Sequence, residues 1–299
     1  MTTTVLQLIE SGASQLEQAG VSFGHGTTNA FDEAAWLVLY SLKLPIDDLD
    51  SVQNRPIADI ESTQFAILLG ARINTRKPAA YLTQEAWLQG VPFYVDERVI
   101  VPRSFIAELI ADADRQGTLD YFLNQHTRHV LDLCTGNGSL AVLAAMAYPE
   151  VRVQGADISP DALEVAKINV AKHHLNNRIE LIESDGLTQC TGMQGQPYDL
   201  ILCNPPYVNS ASMRSLPAEY QTEPMISLAG GADGMDFIRP MLRAAPALMS
   251  EEAVLVLEIG NERAYFEAAF PRLEAVWLET SAGYDQVLLL TRHTLIRDI

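Results

Sequence analysis

Beyond residue 128 the chain alternates short apolar runs of strand length with amphipathic helical stretches, and it does so for about 160 residues. The pattern predicts strands at 129–133, 151–156, 178–182, 199–203 and 254–259. Between them it predicts helices at 140–148, 160–173, 235–248 and 262–270, the second with Pro160 in its first turn. Strands separated by helices pair in parallel through crossovers, which gives a doubly wound sheet. Two more strands, 276–279 and 286–291, are joined only by a short link containing Ala282-Gly283. A tight turn cannot connect parallel neighbours, so the seven-stranded sheet is expected to end antiparallel. The predicted fold class is α/β, doubly wound and mostly parallel.

The preceding sequence has a different character. Residues 1–73 read as helical, with Val5, Leu8, Ile9 and Leu16 on one face and an apolar helical stretch at 34–44. Pro45, Pro56 and Asp47-Asp48-Leu49-Asp50 punctuate it, and Asp47 or Asp48 is placed to cap the next turn. This segment holds nine acids and three bases. Short strands are predicted at 81–83, 87–95 and 99–101 around Gly90-Val91-Pro92 and Asp96-Glu97 turns, forming a β-hairpin connector. Ser104 can cap a helix from 105 to about 115. The reading divides the chain into a helical N-terminal unit (1–73), a connector (74–104) and a catalytic α/β domain (105–299).

Composition narrows the functions available. Hydrophobic residues make up 48% and charged residues 19%, enough to bury a sizeable core. Against 20 Lys+Arg stand 38 Asp+Glu, a net charge of −18, which disfavours direct binding to nucleic acid or to an anionic membrane. An acidic field does attract basic partners. Cys134, Cys190 and Cys203 are too few and scattered for a disulfide framework, and read as reduced cytosolic thiols. The six histidines lack ligand spacing, so no metal is expected. No basic n-region opens the chain and no apolar run approaches ~18 residues, so neither a secretory leader nor a membrane span is expected.

Two motifs carry chemistry. The first strand runs into Asp132-Leu133-Cys134-Thr135-Gly136-Asn137-Gly138 and then a helix. Gly136 and Gly138 permit positive φ and close approach of the backbone to a ligand, and the helix start offers free N–H groups. Asp157, at the end of the next strand, can accept both hydroxyls of a ribose. Asp185, after the third, is placed to accept from an adenine amino group. These features suit a nucleoside-type cofactor, dinucleotide or otherwise.

The second motif ends the fourth strand as Asn204-Pro205-Pro206-Tyr207. Two prolines fix φ and remove two donors, so the carbonyls are held stiffly. The Asn204 oxygen is a second acceptor, and Tyr207 can wall a planar group. Two acceptors and an aromatic suit an amide or an exocyclic base amine. Holding both hydrogens of such a nitrogen aims its lone pair at an electrophile, such as a methyl sulfonium, and stabilises the developing positive charge.

On these residues the chain resembles the class I S-adenosylmethionine-dependent methyltransferases, and among them the family that N5-methylates protein glutamines. Asn-Pro-Pro-Tyr is shared with some nucleic-acid amino methyltransferases. The connector, Arg76-Lys77-Pro78-Ala79-Ala80-Tyr81 and then 93–104, is similar to the glutamine family. Of its two branches, one acts on peptide-chain release factors and typically carries Pro-Arg-Pro. The other acts on the large-subunit ribosomal protein L-three. Val101-Pro102-Arg103-Ser104, with Phe23-Gly24-His25-Gly26 and Asp32-Glu33 upstream, is similar to the second, although Phe105 departs from its usual proline. Glu219-Tyr220, Glu223-Pro224 and the Gly230-Gly231 to Gly234 segment also match the family.

The resemblance implies S-adenosylmethionine as cofactor. Asp132, Gly136 and Gly138 would hold its methionine part, Asp157 the ribose and Asp185 the adenine edge. Asn204 and the Pro205 carbonyl would hold the glutamine amide, with Pro206 and Tyr207 beside it and Asn204 also facing the cofactor. Arg103 and Glu108 would line the approach, and His25 reads as a loop or core residue. The substrate would be a basic protein, ribosomal protein L-three. The alternatives are a release factor, an amino methyltransferase acting on nucleic acid, or a cofactor-binding scaffold without catalysis.

Overall fold

A computed structural model describes residues 3–110 and 117–299. The N-terminal helices are α1 (Val5–Gln18), α2 (Ala30–Ser41), α3 (Leu49–Val52), α4 (Asp59–Thr75) and α5 (Ala79–Thr83). A hairpin follows, β1 (Glu85–Leu88) and β2 (Val91–Tyr94), and then α6 (Ile106–Leu109). The alternating region contains β3 (His129–Leu133), α7 (Ser139–Ala147), β4 (Arg152–Asp157), α8 (Pro160–Lys172), β5 (Ile179–Glu183) and β6 (Tyr198–Cys203). It continues through α9 (Ser210–Met213), α10 (Ile238–Ala244), β7 (Met249–Glu258), α11 (Arg263–Ala269), β8 (Val276–Thr280), β9 (Gly283–Thr291) and α12 (Arg292–Asp298).

The seven-stranded sheet has the order β5-β4-β3-β6-β7-β9-β8. The first five pair in parallel, and β9 lies antiparallel between β7 and β8. From β3 the chain winds outward to β5, then returns to place β6 on the other side of β3. The carboxyl ends of β3 and β6 therefore flank a topological switch point, the usual ligand crevice of such sheets. Alternate residues build a core on each face: Val130, Leu200, Leu202, Val254 and Val256 on one, Leu131, Leu133, Ile201, Leu255 and Leu257 on the other.

The cores of α1, α2 and α4 continue through Tyr81, Val95, Val99 and Val101 to Ala162 and Val165 of α8. Asn169 of α8 strengthens this join. Its side chain exchanges hydrogen bonds with Tyr94 N and O (2.7 and 2.9 Å) and donates to Asn137 O (2.9 Å), pinning the hairpin to the glycine loop.

Several local expectations need correction. Residues 81–83 lie in helix α5, because Pro78 starts a helical turn and Thr83 Oγ1 donates back to Ala79 O (3.0 Å). Residues 99–101 form no strand, since Val99 N closes a turn onto Asp96 O and Val101 N donates to a side chain, Glu223. The hairpin is thus confined to β1 and β2. Asp48 sits at the start of α3, but its carboxylate accepts from Ser51 Oγ (2.5 Å) rather than capping the backbone. Ser104 Oγ does accept from Ile106 N (3.2 Å), while the helix expected to 115 ends at Leu109. Its remainder, 111–116, lies outside the described residues. Among the described residues no helix is long and apolar enough to cross a membrane, and no cluster of three His, Cys, Asp or Glu could hold a metal.

Candidate active site

The loop after β3 is shaped by positive φ at Cys134, Gly136 and Gly138 (62°, 53° and 80°). The two glycines are needed for different reasons. A Cβ on Gly136 would meet nothing within 4 Å, because the residue faces a cavity. A Cβ on Gly138 would lie 3.2 Å from the Ala166 side chain, so this glycine lets the loop pack on α8. Asp132 holds the loop from beneath: Oδ2 accepts from Thr135 Oγ1 (2.5 Å) and Ala141 N (2.9 Å). Burial pushes its carboxyl up to about 7 against those hydrogen bonds. Asp132 Oδ1 and Asn137 Nδ2 are buried without a hydrogen-bond partner among the described residues.

Asp157 accepts from Gly136 N and Ser159 N, each at 2.9 Å, and burial raises its carboxyl despite them. It lines a cavity together with Gly136, Ile158, Asp185, Asn204, Pro206 and Phe237. Four residues from four separate strand ends therefore converge, as the sequence predicts: Gly136, Asp157, Asp185 and Asn204. Asp132 and Gly138 do not reach the cavity wall and instead shape the loop that does.

A second, larger cleft adjoins the first. Arg103, Asn204, Pro205 and Tyr207 line it, with Gly24, Gly26, Thr27 and Thr28 contributed by the N-terminal region. Asn204 lines both spaces, whereas Pro206 faces the first rather than the second. Among the described residues no side-chain hydrogen bond engages Asn204, and the Pro205 carbonyl accepts none. Tyr207 is confined by glycines. A Cβ on Gly260 would lie 2.5 Å from its ring, and Cβ atoms on Gly230 and Gly234 would collide with its backbone.

The surrounding carboxylates are the part that sequence reasoning missed. Arg103 meets Glu223 in a two-pronged pair (2.6 and 2.7 Å), and Val101 N donates to the same carboxylate (2.9 Å). Burial alone would raise Glu223, but Arg103 and His25 outweigh it and hold the carboxyl at about 2. His25 is buried, with Nε2 3.4 Å from Glu223 and its ring against Tyr220. Arg72, wholly buried, bridges Glu33 (2.7 Å) and Glu219 (3.2 Å). These ion pairs fasten the N-terminal helices and the connector to the loop at 219–228, whose Ser227 lines both spaces. Glu108 does not line the approach: its carboxylate accepts from Ser281 N and Oγ (2.7 and 2.6 Å), on the β8–β9 turn. The sequence singles out several members of this network one by one, Arg103, His25, Glu33, Glu219 and Glu223, but nothing in it pairs them.

Comparison with known proteins agrees with this geometry. Residues 111–219 match the family model described as methyltransferase small domain. The chain is 49% identical over 292 residues to the ribosomal protein uL3 glutamine methyltransferase of Bordetella pertussis, covering 98% of this chain and 96% of that one. It is 50% identical over 291 residues to the protein of the same name from Burkholderia pseudomallei, covering 96% and 94%. Among solved structures, the hMettl16 catalytic domain in complex with an RNA hairpin aligns with a TM-score of 0.51 at 14% identity, covering 81% of this chain and 84% of that one, a likeness of fold alone. Aligned over nearly its full length with these relatives at about half identity, the chain belongs to the ribosomal protein uL3 glutamine methyltransferase family.

Proposed function

We propose that this chain transfers a methyl group from S-adenosylmethionine to the side-chain amide nitrogen of a glutamine in ribosomal protein uL3. The observation that carries this reading is the position of Asn204, whose unpartnered amide stands in the wall shared by two spaces. One space suits a nucleoside cofactor, and the other is open to a protein side chain.

The residues present fit the cofactor. Gly136 offers a surface without Cβ, Asp157 a carboxylate for the ribose, Asp185 an acceptor for the adenine amine, and Ile158 and Phe237 apolar walls for the ring. Asp132 supports the loop from beneath, through Thr135 Oγ1 and Ala141 N, and so holds Gly136 in place at the cavity wall. S-adenosylmethionine supplies an electrophilic methyl group on a cationic sulfur. An amide nitrogen is a weak nucleophile because its lone pair is delocalised. Asn204 Oδ1 and the Pro205 carbonyl accept its two hydrogens, turn the lone pair toward the methyl group and stabilise positive charge on nitrogen as the bond forms. Tyr207 walls the amide and Arg103 lines its approach.

On this reading residues 1–73 dock the substrate, 74–104 connect, and 105–299 carry out transfer. The partner is a basic protein met in the cytoplasm, without direct contact to nucleic acid or membrane. The test is incubation with labelled S-adenosylmethionine and uL3, a release factor, or RNA, followed by peptide mapping. Label is expected on one uL3 glutamine, and Asn204→Ala should lower kcat by about 10²–10³. Label on the release factor or RNA in place of uL3, or full transfer by Asn204→Ala, refutes the reading.

A further inference from the structure

Glu258 ends β7 in the wall of the larger cleft and is only 2% exposed. A carboxylate so buried needs compensating donors, and three converge on it. Ser104 Oγ (2.6 Å) and Phe105 N (2.9 Å) donate to Oε2, and the Tyr207 hydroxyl donates to Oε1 (3.2 Å). The first comes from the last residue of the connector and the second from the residue that follows it, both more than 150 residues away in sequence, and the third from the Asn-Pro-Pro-Tyr turn. A glycine two residues later leaves room for the Tyr207 ring beside this contact. Glu258 is thus the one described side chain that bonds the connector and the catalytic turn together.

We propose that Glu258 is a positioning residue for methyl transfer: it fixes the Tyr207 ring against the acceptor amide and makes that placement depend on the docked connector. The inference rests on the glutamine-methylating reading above. Tyr207 is anchored at its backbone by the proline turn and at its hydroxyl by Glu258, so the ring has no freedom to swing about its Cβ. A ring held at both ends limits the amide to orientations in which both hydrogens meet Asn204 and Pro205. Without the hydroxyl anchor the amide still binds, but it spends less time aligned, so the loss falls on kcat rather than on KM.

Glu258→Gln keeps the side chain's shape but sets an amide donor where a carboxylate oxygen accepted. It should lower kcat about tenfold while leaving KM for uL3, and Kd for S-adenosylhomocysteine, within about threefold. Tyr207→Phe removes the same hydrogen bond, so the double variant should be no slower than the slower single, a strongly non-additive cycle. Ser104→Ala, which removes one donor and leaves the tyrosine, should slow the wild type by about twofold and leave Tyr207→Phe unchanged. If Glu258→Gln does not fold, that second cycle carries the test. Additive losses in kcat, a change confined to KM, or lower stability with unchanged kcat each overturn the proposal. A wild-type protein that transfers nothing to uL3 refutes the underlying reading; variants that match an active wild type refute this inference alone.

Discussion

Replacing Glu223 with glutamine tests whether the loop at 219–228 is held by charge. Glu223 is 3% exposed and takes both prongs of Arg103 plus the Val101 N–H. Its carboxyl titrates at about 2 instead of the ordinary 4.5. At about 1.4 kcal/mol for each pH unit, that difference corresponds to about 3 kcal/mol of folding stability contributed by the ionised form. Because the folded value is depressed, the contribution is complete above pH ~4.5 and disappears as pH falls toward ~2. Glu223→Gln should therefore be about 3 kcal/mol less stable at pH 7, and the gap should close on acidification. Arg103 would keep the Val101 carbonyl and the face of Tyr220, 5.2 Å from its guanidinium carbon, but would exchange a two-pronged carboxylate for a single uncharged amide oxygen. Urea titrations followed by tryptophan fluorescence at several pH values measure both effects. Because Ser227 of the same loop lines both spaces, KM should rise for cofactor and protein substrate together. Equal midpoints at pH 7, or a gap as wide at pH 3 as at pH 7, would refute the argument.

Two further expectations follow from charge and packing. Asp47, Asp48 and Asp50 are exposed on the acidic N-terminal segment; changing all three to Asn should raise KM for uL3 more than it lowers kcat, and methylation by the unaltered chain should weaken with added salt, a reaction indifferent to both returning these charges to mere solubility. Gly260→Ala would press a Cβ within 2.5 Å of the Tyr207 ring at a backbone φ of 53°; kcat should fall by about tenfold or more with cofactor affinity retained, and an unchanged kcat would argue against a fixed ring.

The regular elements were legible because their signals are local. Periodicity placed every strand of the large sheet, and the short link containing Ala282-Gly283 correctly demanded an antiparallel end. The cofactor-side residues were legible for a related reason: in a doubly wound sheet, strand ends are brought together by topology, so Gly136, Asp157, Asp185 and Asn204 could be paired in space from their places in sequence. The buried ion pairs were not. Arg103 finds Glu223 across 120 residues and Arg72 finds Glu219 across 147, and no periodicity links such partners. Residues 99–101 misled for the same reason. Their β-branched side chains suit a strand, but Val101 N is claimed by Glu223 and no neighbouring strand is available. Glu108, set on the approach by the family resemblance, is drawn away by Ser281.

The position of β9 between β7 and β8 has a consequence for how the protein is made. β8 is hydrogen-bonded only to β9, and β9 is also what joins β8 to the rest of the sheet. A ribosome synthesises β8 first. Until β9 emerges, Val276–Thr280 has no strand to pair with, and the β7 edge carrying Glu258 stays open. Glu258 cannot lie in its finished sheet setting before then, so the wall of the larger cleft is completed only after β9, downstream of every motif that lines it, has been made.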